Sequence, residues 1–209
     1  MAVVLGRDYG CPLYNKFELD VADDTELARV QAGKDWLEAA LLDFVVTAKT
    51  RVNRFDFSMQ ERPWKSEFLP QKLVLSKGKE LPDYVASFRG SNNDSASSCL
   101  VSERLKAVIE AAQSDADGWQ FFPVEILHKD GTAYATYYVW WVHRVRDAID
   151  PTSEGVETVG GPVNGRHSWT TVGVLAPERL KVQSSAITHI NAWVDFRFAP
   201  FISVFVSDA

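Results

Sequence analysis

The chain has only two cysteines, Cys11 and Cys99, in 209 residues. No CxxC pair occurs, which removes the thiolate zinc sites; no metal and no cofactor is expected. Two thiols in a chain without a leader segment are read as reduced rather than bridged. No apolar run reaches the length that a bilayer-spanning helix needs without meeting a charge. The opening MAVVLGRDYGCPLYNKFELD has no basic start followed by a long apolar stretch, so no secretory leader is expected and the cytoplasm is the expected location. GxSxG, GxxxxGK[ST], HExxH and GxGxxG are all missing, and with them the spacings of a nucleophile elbow, a phosphate cradle, a zinc-protease helix and a dinucleotide turn. Basic residues are in deficit, 22 Lys plus Arg against 28 Asp plus Glu. Nucleic-acid affinity comes mainly from Lys and Arg on phosphates, so neither nucleic acid nor a membrane is an expected partner. The net charge of −6 serves solubility, and it would also speed encounter with a basic protein.

Aromatic residues, by contrast, are concentrated. Between Gly118 and Val145 stand Trp119, Phe121, Phe122, Tyr134, Tyr137, Tyr138, Trp140 and Trp141. The HKDG segment supplies a turn centred on Asp130-Gly131, so Trp119–His128 and Tyr134–Val145 are read as the arms of a β-hairpin. Trp140 and Trp141 must point to opposite faces, as must Phe121 and Phe122. A hairpin apolar on both faces belongs in the centre of a sheet covered on both sides. Pro123 cannot donate a ladder hydrogen bond and implies a bulge or an edge there.

Elsewhere the pattern is mixed. Leu27, Val30, Leu37, Leu41 and Phe44 form the stripe of a helix over 24–44, weakened by Gly33 and interrupted by Lys34, with Asp23 or Asp24 as its cap. RVNRFDFSM and QKLVLSKG read as strands. Leu105, Val108, Ile109 and Ala112 mark a second helix over 102–113, with Ser102 as N-cap. ITHINAWVDFRF, a turn at Ala199-Pro200 and FISVFVSDA close the chain. The fold class expected is α+β: a mixed, largely antiparallel sheet with an aromatic-rich central hairpin and a few packed helices. The organisation expected is one domain, 1–209. Within it, 1–86 is a less distinctive N-terminal region and 87–99, rich in Ser and Asn, is a polar loop or linker before the module 100–209.

Side chains that bear chemistry are scattered. His128, His143 and Glu125 would make a metal site only if the hairpin brought both histidines together; strand-edge histidines are the simpler reading. Cys99 is read as a small buried residue rather than a nucleophile. Asp150, before Pro151, is read as starting a turn with its side chain bonded to backbone donors near Ser153, rather than as half of an acid–base pair with Asp147. Arg144 and Arg146 are read as solvated strand-end charges. Ser153–Trp169 is read as a glycine-rich loop whose VGGPVNG matches no phosphate-cradling spacing.

LVSERLKAVIE, GWQFFPVEI, KDGT, YYVWWVHRVRDAIDPTSE and HINAWVDFRF leading to FVSDA together resemble immunity protein family eleven of bacterial polymorphic toxin systems. The resemblance covers 81–209, and its most specific parts are FFPVEI at Phe121–Ile126 and AIDPTSE at Ala148–Glu154. In that family a polar helix follows the terminal VSD element, whereas this sequence stops at Ala209. The resemblance implies a non-enzymatic protein that binds and neutralises a cognate toxin, encoded beside it, and it carries over no catalytic residues. On that reading the hairpin aromatics are mostly core, with Tyr138 and Trp140 as candidate interface anchors. The 153–169 segment is the better interface candidate, through Glu154, Glu157, Arg166, His167 and Trp169. A small hydrolase using carboxylates and histidines beside the 119–145 hairpin, and a general protein-interaction module, are the competing readings.

Overall fold

The computed structural model describes residues 2–5, 16–48, 63–85, 88, 98–112, 118–154, 156–163, 166–171, 181–195 and 204–207. In chain order the elements are β1 (Ala2–Leu5), β2 (Glu18–Val21), α1 (Asp24–Ala48), β3 (Lys72–Lys77), β4 (Tyr84–Val85), β5 (Ser98–Ser102) and α2 (Glu103–Ala112). After these come β6 (Trp119–Leu127), β7 (Ala133–Val142), β8 (Val145–Arg146), β9 (Val156–Val163), β10 (Arg166–Thr171), β11 (Ala192–Asp195) and β12 (Val204–Ser207). Six strands form one sheet in the order β2-β3-β6-β7-β5-β4, parallel only at β3–β6. A second sheet runs β1-β12-β11-β8, parallel only at β11–β8, and β9–β10 form a third. The class is α+β, as expected.

The turn chemistry sets the central hairpin. Gly131 takes φ +82°, a conformation that favours glycine, and its N–H donates to the His128 carbonyl at 3.0 Å. The Asp130 carboxylate accepts from the Thr132 amide at 2.9 Å and from its hydroxyl at 2.6 Å. From there the strands alternate cleanly. Phe122, Val124, Ile126, Tyr137, Val139 and Trp141 enter one core; Trp119, Phe121, Tyr138, Trp140 and Val142 enter another on the opposite face. Pro123 stands at a local edge. The β3 ladder begins with the Glu125 N–H on the Gln71 carbonyl, so the donor that Pro123 lacks falls on a flank of β6 that β3 does not reach.

The first core is closed by α1 and by the segment 63–70. The Trp64 ring lies 4.6 Å from Trp141 and meets Trp36 edge-on at 5.4 Å. Two polar side chains, buried Glu26 and half-buried Gln120, fix this cover. Glu26 accepts the Gln71 amide at 2.7 Å, and the Gln120 carboxamide accepts from the Trp64 amide at 2.6 Å and donates back to its carbonyl at 3.3 Å. Asp23 is the cap of α1, accepting from the Thr25 and Glu26 amides at 2.9 and 3.0 Å.

The second core is closed by Leu105 and Ile109 of α2 and by Ala192 and Val194 of β11. Ser102 Oγ accepts the Leu105 amide at 3.2 Å, as its N-cap role requires, and Asn191 Nδ2 donates to the Ala112 carbonyl at 2.7 Å at the other end. On its far side β11 places Trp193 with Ala148 and Ile149 in a third core. All four residues of AWVD are therefore buried.

Several expectations are corrected. Leu27 is 52% exposed, because the inward face of α1 runs through Val30, Gly33, Trp36 and Leu37. Val108 is 59% exposed, and only Leu105 and Ile109 seat α2. The second hairpin arm stops at Val142, where the His143 and Arg144 amides both turn onto the Gly118 carbonyl; Val145 belongs to β8 in the other sheet. Arg144 is buried rather than solvated, its guanidinium lying where a side chain on Gly118 would stand. The strand over RVNRFDFSM, the Ala199-Pro200 turn and Cys11 lie outside the described residues, as does most of 87–99. The six-stranded sheet draws β2, β3 and β4 from before residue 87 and β5, β6 and β7 from residue 98 onward.

Gly33 is a point of close approach rather than a weakness, since a Cβ there would lie 2.8 Å from the Phe68 Cβ and 3.2 Å from its carbonyl oxygen. Gly33→Ala gains about 1 kcal/mol of helix propensity. It meets an overpacking cost of about 1–3 kcal/mol, and neither Phe68 atom can swing aside. Thermal denaturation is expected to show Gly33→Ala less stable than the parent, in contrast to the usual effect of this exchange within a helix.

Candidate partner-binding surface

The segment from Arg144 to Ser153 leads the chain out of the aromatic hairpin, and backbone bonds dominate it. The Val194 amide donates to the Arg144 carbonyl at 2.9 Å, tying the start of the segment to β11. Asp195, buried at the end of β11, then accepts both the Ala148 and the Ile149 amides on one carboxylate oxygen, each at 2.9 Å. Ile149 bridges Val182, and the Asp150 amide donates to the Lys181 carbonyl at 2.9 Å.

Asp150 closes the turn as expected: its carboxylate accepts the Thr152 amide and hydroxyl, both at 2.8 Å, which hold it below the usual carboxylate range. Ser153 is buried; its hydroxyl donates to the Asp150 carbonyl at 2.6 Å and accepts the Lys181 amide at 2.9 Å. Ala148–Glu154 is thus a structural joint. Its acidic side chain at 150 is committed to local backbone.

Beyond the joint the chain forms two strands in place of the expected loop. β9 and β10 pair antiparallel, with Val156 opposite Thr171, Glu157 opposite Thr170 and Trp169 opposite Thr158. The register shifts between Arg166 and Ser168, so that Gly160, Gly161 and Pro162 take up extra length on β9. A bulge of this kind is where a strand tolerates glycine and proline, and those residues disguised the strand in the sequence. Glu154 and Glu157 are exposed. Arg166 and Trp169 occupy positions on β10, and His167 stands at the register shift. Glu157, Arg166, His167 and Trp169 are therefore gathered on one hairpin, whose base is fixed by Val156 against the third core, with Glu154 in the joint just before it.

The two candidate anchors on the aromatic hairpin separate. Trp140 is 1% exposed and stacks on Phe121 at 6.2 Å, so it is core and not an interface side chain. Tyr138 lies at the rim of α2, hydrogen-bonded to Glu103, with the Lys106 ammonium 5.0 Å from its ring centre. Lys106 also sits over Phe121 at 5.5 Å and pairs with Glu110 at 2.8 Å. Tyr138 is partly exposed, but its neighbours already hold it.

Among the described residues, catalytic chemistry finds little to build on. Cys99 is buried, and burial pushes its thiol up to about 12 despite hydrogen bonding with Tyr84, so no thiolate forms near neutral pH. His128 stands at the turn end of the hairpin and His143 beside Gly118 at the open end, so the register keeps the two apart. No group of His, Cys, Asp and Glu among the described residues is placed to hold a metal ion. No described helix is long and apolar enough to cross a membrane.

A family model described as Immunity protein family (Imm11) matches residues 48–208. The chain belongs to this immunity protein family. The match begins well before residue 81, where the resemblance in the sequence becomes distinct, and takes in β3 through β12. A comparison with curated proteins finds no match. Within this family member, FFPVEI is the middle of β6 and AIDPTSE is the joint before β9, so both motifs belong to the scaffold. Asp195, which sequence reasoning missed, is the residue that holds the joint. Its only signal was an acid ending an otherwise apolar AWVD.

Two outcomes test the assignment. Asp195→Ala leaves two buried amides without their acceptor and is expected to lose about 2–4 kcal/mol in denaturant unfolding, whereas Asp195→Asn, which keeps one acceptor oxygen, loses less. In a Cys11→Ser background, iodoacetamide at pH 8 is expected to leave the folded chain unmodified and to alkylate Cys99 only after unfolding. Rapid alkylation of the folded chain would return Cys99 to the reactive groups.

Proposed function

We propose that this chain is a non-enzymatic immunity protein that binds and neutralises a cognate bacterial toxin encoded beside it. It acts in the cytoplasm as one unit over 1–209, and it uses no cofactor, nucleic acid or membrane. The single observation that carries the reading is the family match over 48–208. The geometry supports it: Asp150 is bound to Thr152, Cys99 is buried as a thiol, and His128 and His143 lie at opposite ends of the hairpin. That arrangement counts against the hydrolase reading. A sheet built from both sides of 87–99 supports a single unit.

The binding surface we assign is the β9–β10 hairpin and the joint at its base, with Glu154, Glu157, Arg166, His167 and Trp169 as contact residues and Tyr138 at the margin. A net charge of −6 favours encounter with a basic toxin surface. An interface of about 800 Å² per partner is enough for a stable complex. A general interaction module would share every one of these features except the partner.

Co-expression tests the proposal. The product of the neighbouring gene is expected to kill a naive bacterium alone. With this chain the cells are expected to survive, and the two proteins to copurify. Killing that this chain leaves untouched would overturn the immunity reading.

A further inference from the structure

β9 and β10 pair with no third strand among the described residues, so each has a flank that no described strand covers. Such a flank recruits an extended segment through backbone N–H and C=O groups, and proteins guard it with charge, proline, bulges or short length. The edges of this fold differ in those guards. β4 and β8 have two residues each and β2 carries Glu18 and Asp20, while β1, uncharged over its four residues, belongs to a larger sheet and not to the hairpin that carries the candidate contact residues. β9 carries Glu157 and the bulge with Gly160, Gly161 and Pro162.

β10 carries no charge, glycine or proline over the four residues Ser168, Trp169, Thr170 and Thr171. Trp and Thr are also strong strand formers. The Thr171 end is opposite Val156, which packs on the third core beside the joint held by Asp195. This edge is therefore held in place before any partner arrives, which lowers the ordering cost of binding.

We infer that the toxin docks by laying an extended strand of its own along Ser168–Thr171 of β10. This inference rests on the immunity reading and specifies its mode of contact. The segment recognised is an uncharged, extended peptide stretch of the toxin surface, read mainly through its main chain, with the charged residues Glu154, Glu157 and Arg166 at the margins.

Hydrogen exchange on the full chain, alone and with a catalytically inactivated product of the neighbouring gene, tests this. Those amides of 168–171 that point away from β9 are expected to slow about tenfold or more in the complex, as newly bonded strand amides do. Ser168→Lys with Thr170→Lys, the guard that natural edges use, is expected to weaken the complex at least about tenfold while leaving the melting temperature close to the parent value. A complex that forms with unchanged exchange at 168–171 would overturn strand addition and leave the immunity reading standing. No complex at all would overturn both. Protection of those outward amides already present in the free chain, together with a dimer by sedimentation, would show that a second copy fills the edge and would overturn docking of the toxin there.

Discussion

The constraint on which the rest depends is that the central hairpin is apolar on both faces. Trp141 and Trp140 are adjacent in sequence and enter different cores, so neither face of β6–β7 can be left to water. One face requires α1 and the 63–70 segment; the other requires α2 and β11. Burying side chains of this size contributes on the order of 1.5–3 kcal/mol each, enough to draw distant parts of the chain onto the hairpin. Polar side chains then fix where the covers sit. Glu26 and Gln120 hold the first cover through backbone groups, while Asn191 links the end of α2 to the approach to β11.

The same constraint explains why the AIDPTSE segment, Ala148–Glu154, is built as a joint. AIDPTSE must turn the chain away from the aromatic hairpin and launch a new one while Ala148 and Ile149 stay buried. Asp195 supplies acceptors for their amides, Asp150 and Ser153 satisfy the turn, and Lys181 completes the backbone pairing. These residues are occupied in holding shape. The hairpin beyond the joint stands apart from both larger sheets in its pairing, and there the proposed contact with a toxin is placed.

Much of this was legible in the sequence where local chemistry and tertiary packing agree. The Asp130-Gly131 turn, the opposed tryptophans, the Ser102 cap and the Asp150 turn are all local or period-2 signals, and the structure follows them. The misreadings arose where tertiary contacts decide. Gly33 looked like a weak helix position because Phe68, which needs the space, is distant along the chain. Trp140 looked like a surface anchor because strand alternation cannot tell which face α2 will cover. The β9–β10 hairpin hid behind Gly160, Gly161 and Pro162, which signal a loop unless a bulge absorbs them. Asp195 was invisible because its partners, Ala148 and Ile149, are main-chain amides, and main-chain amides leave no mark in composition.

The central claim is that the protein acts by occupying its toxin rather than by transforming anything. The most direct measurement is a titration of the purified toxin's activity with purified chain at concentrations far above the dissociation constant. Neutralisation by binding predicts activity that falls linearly and ends at one equivalent, with no further loss on prolonged incubation. Substoichiometric chain that continues to remove toxin activity with time would mean turnover, and would contradict the account.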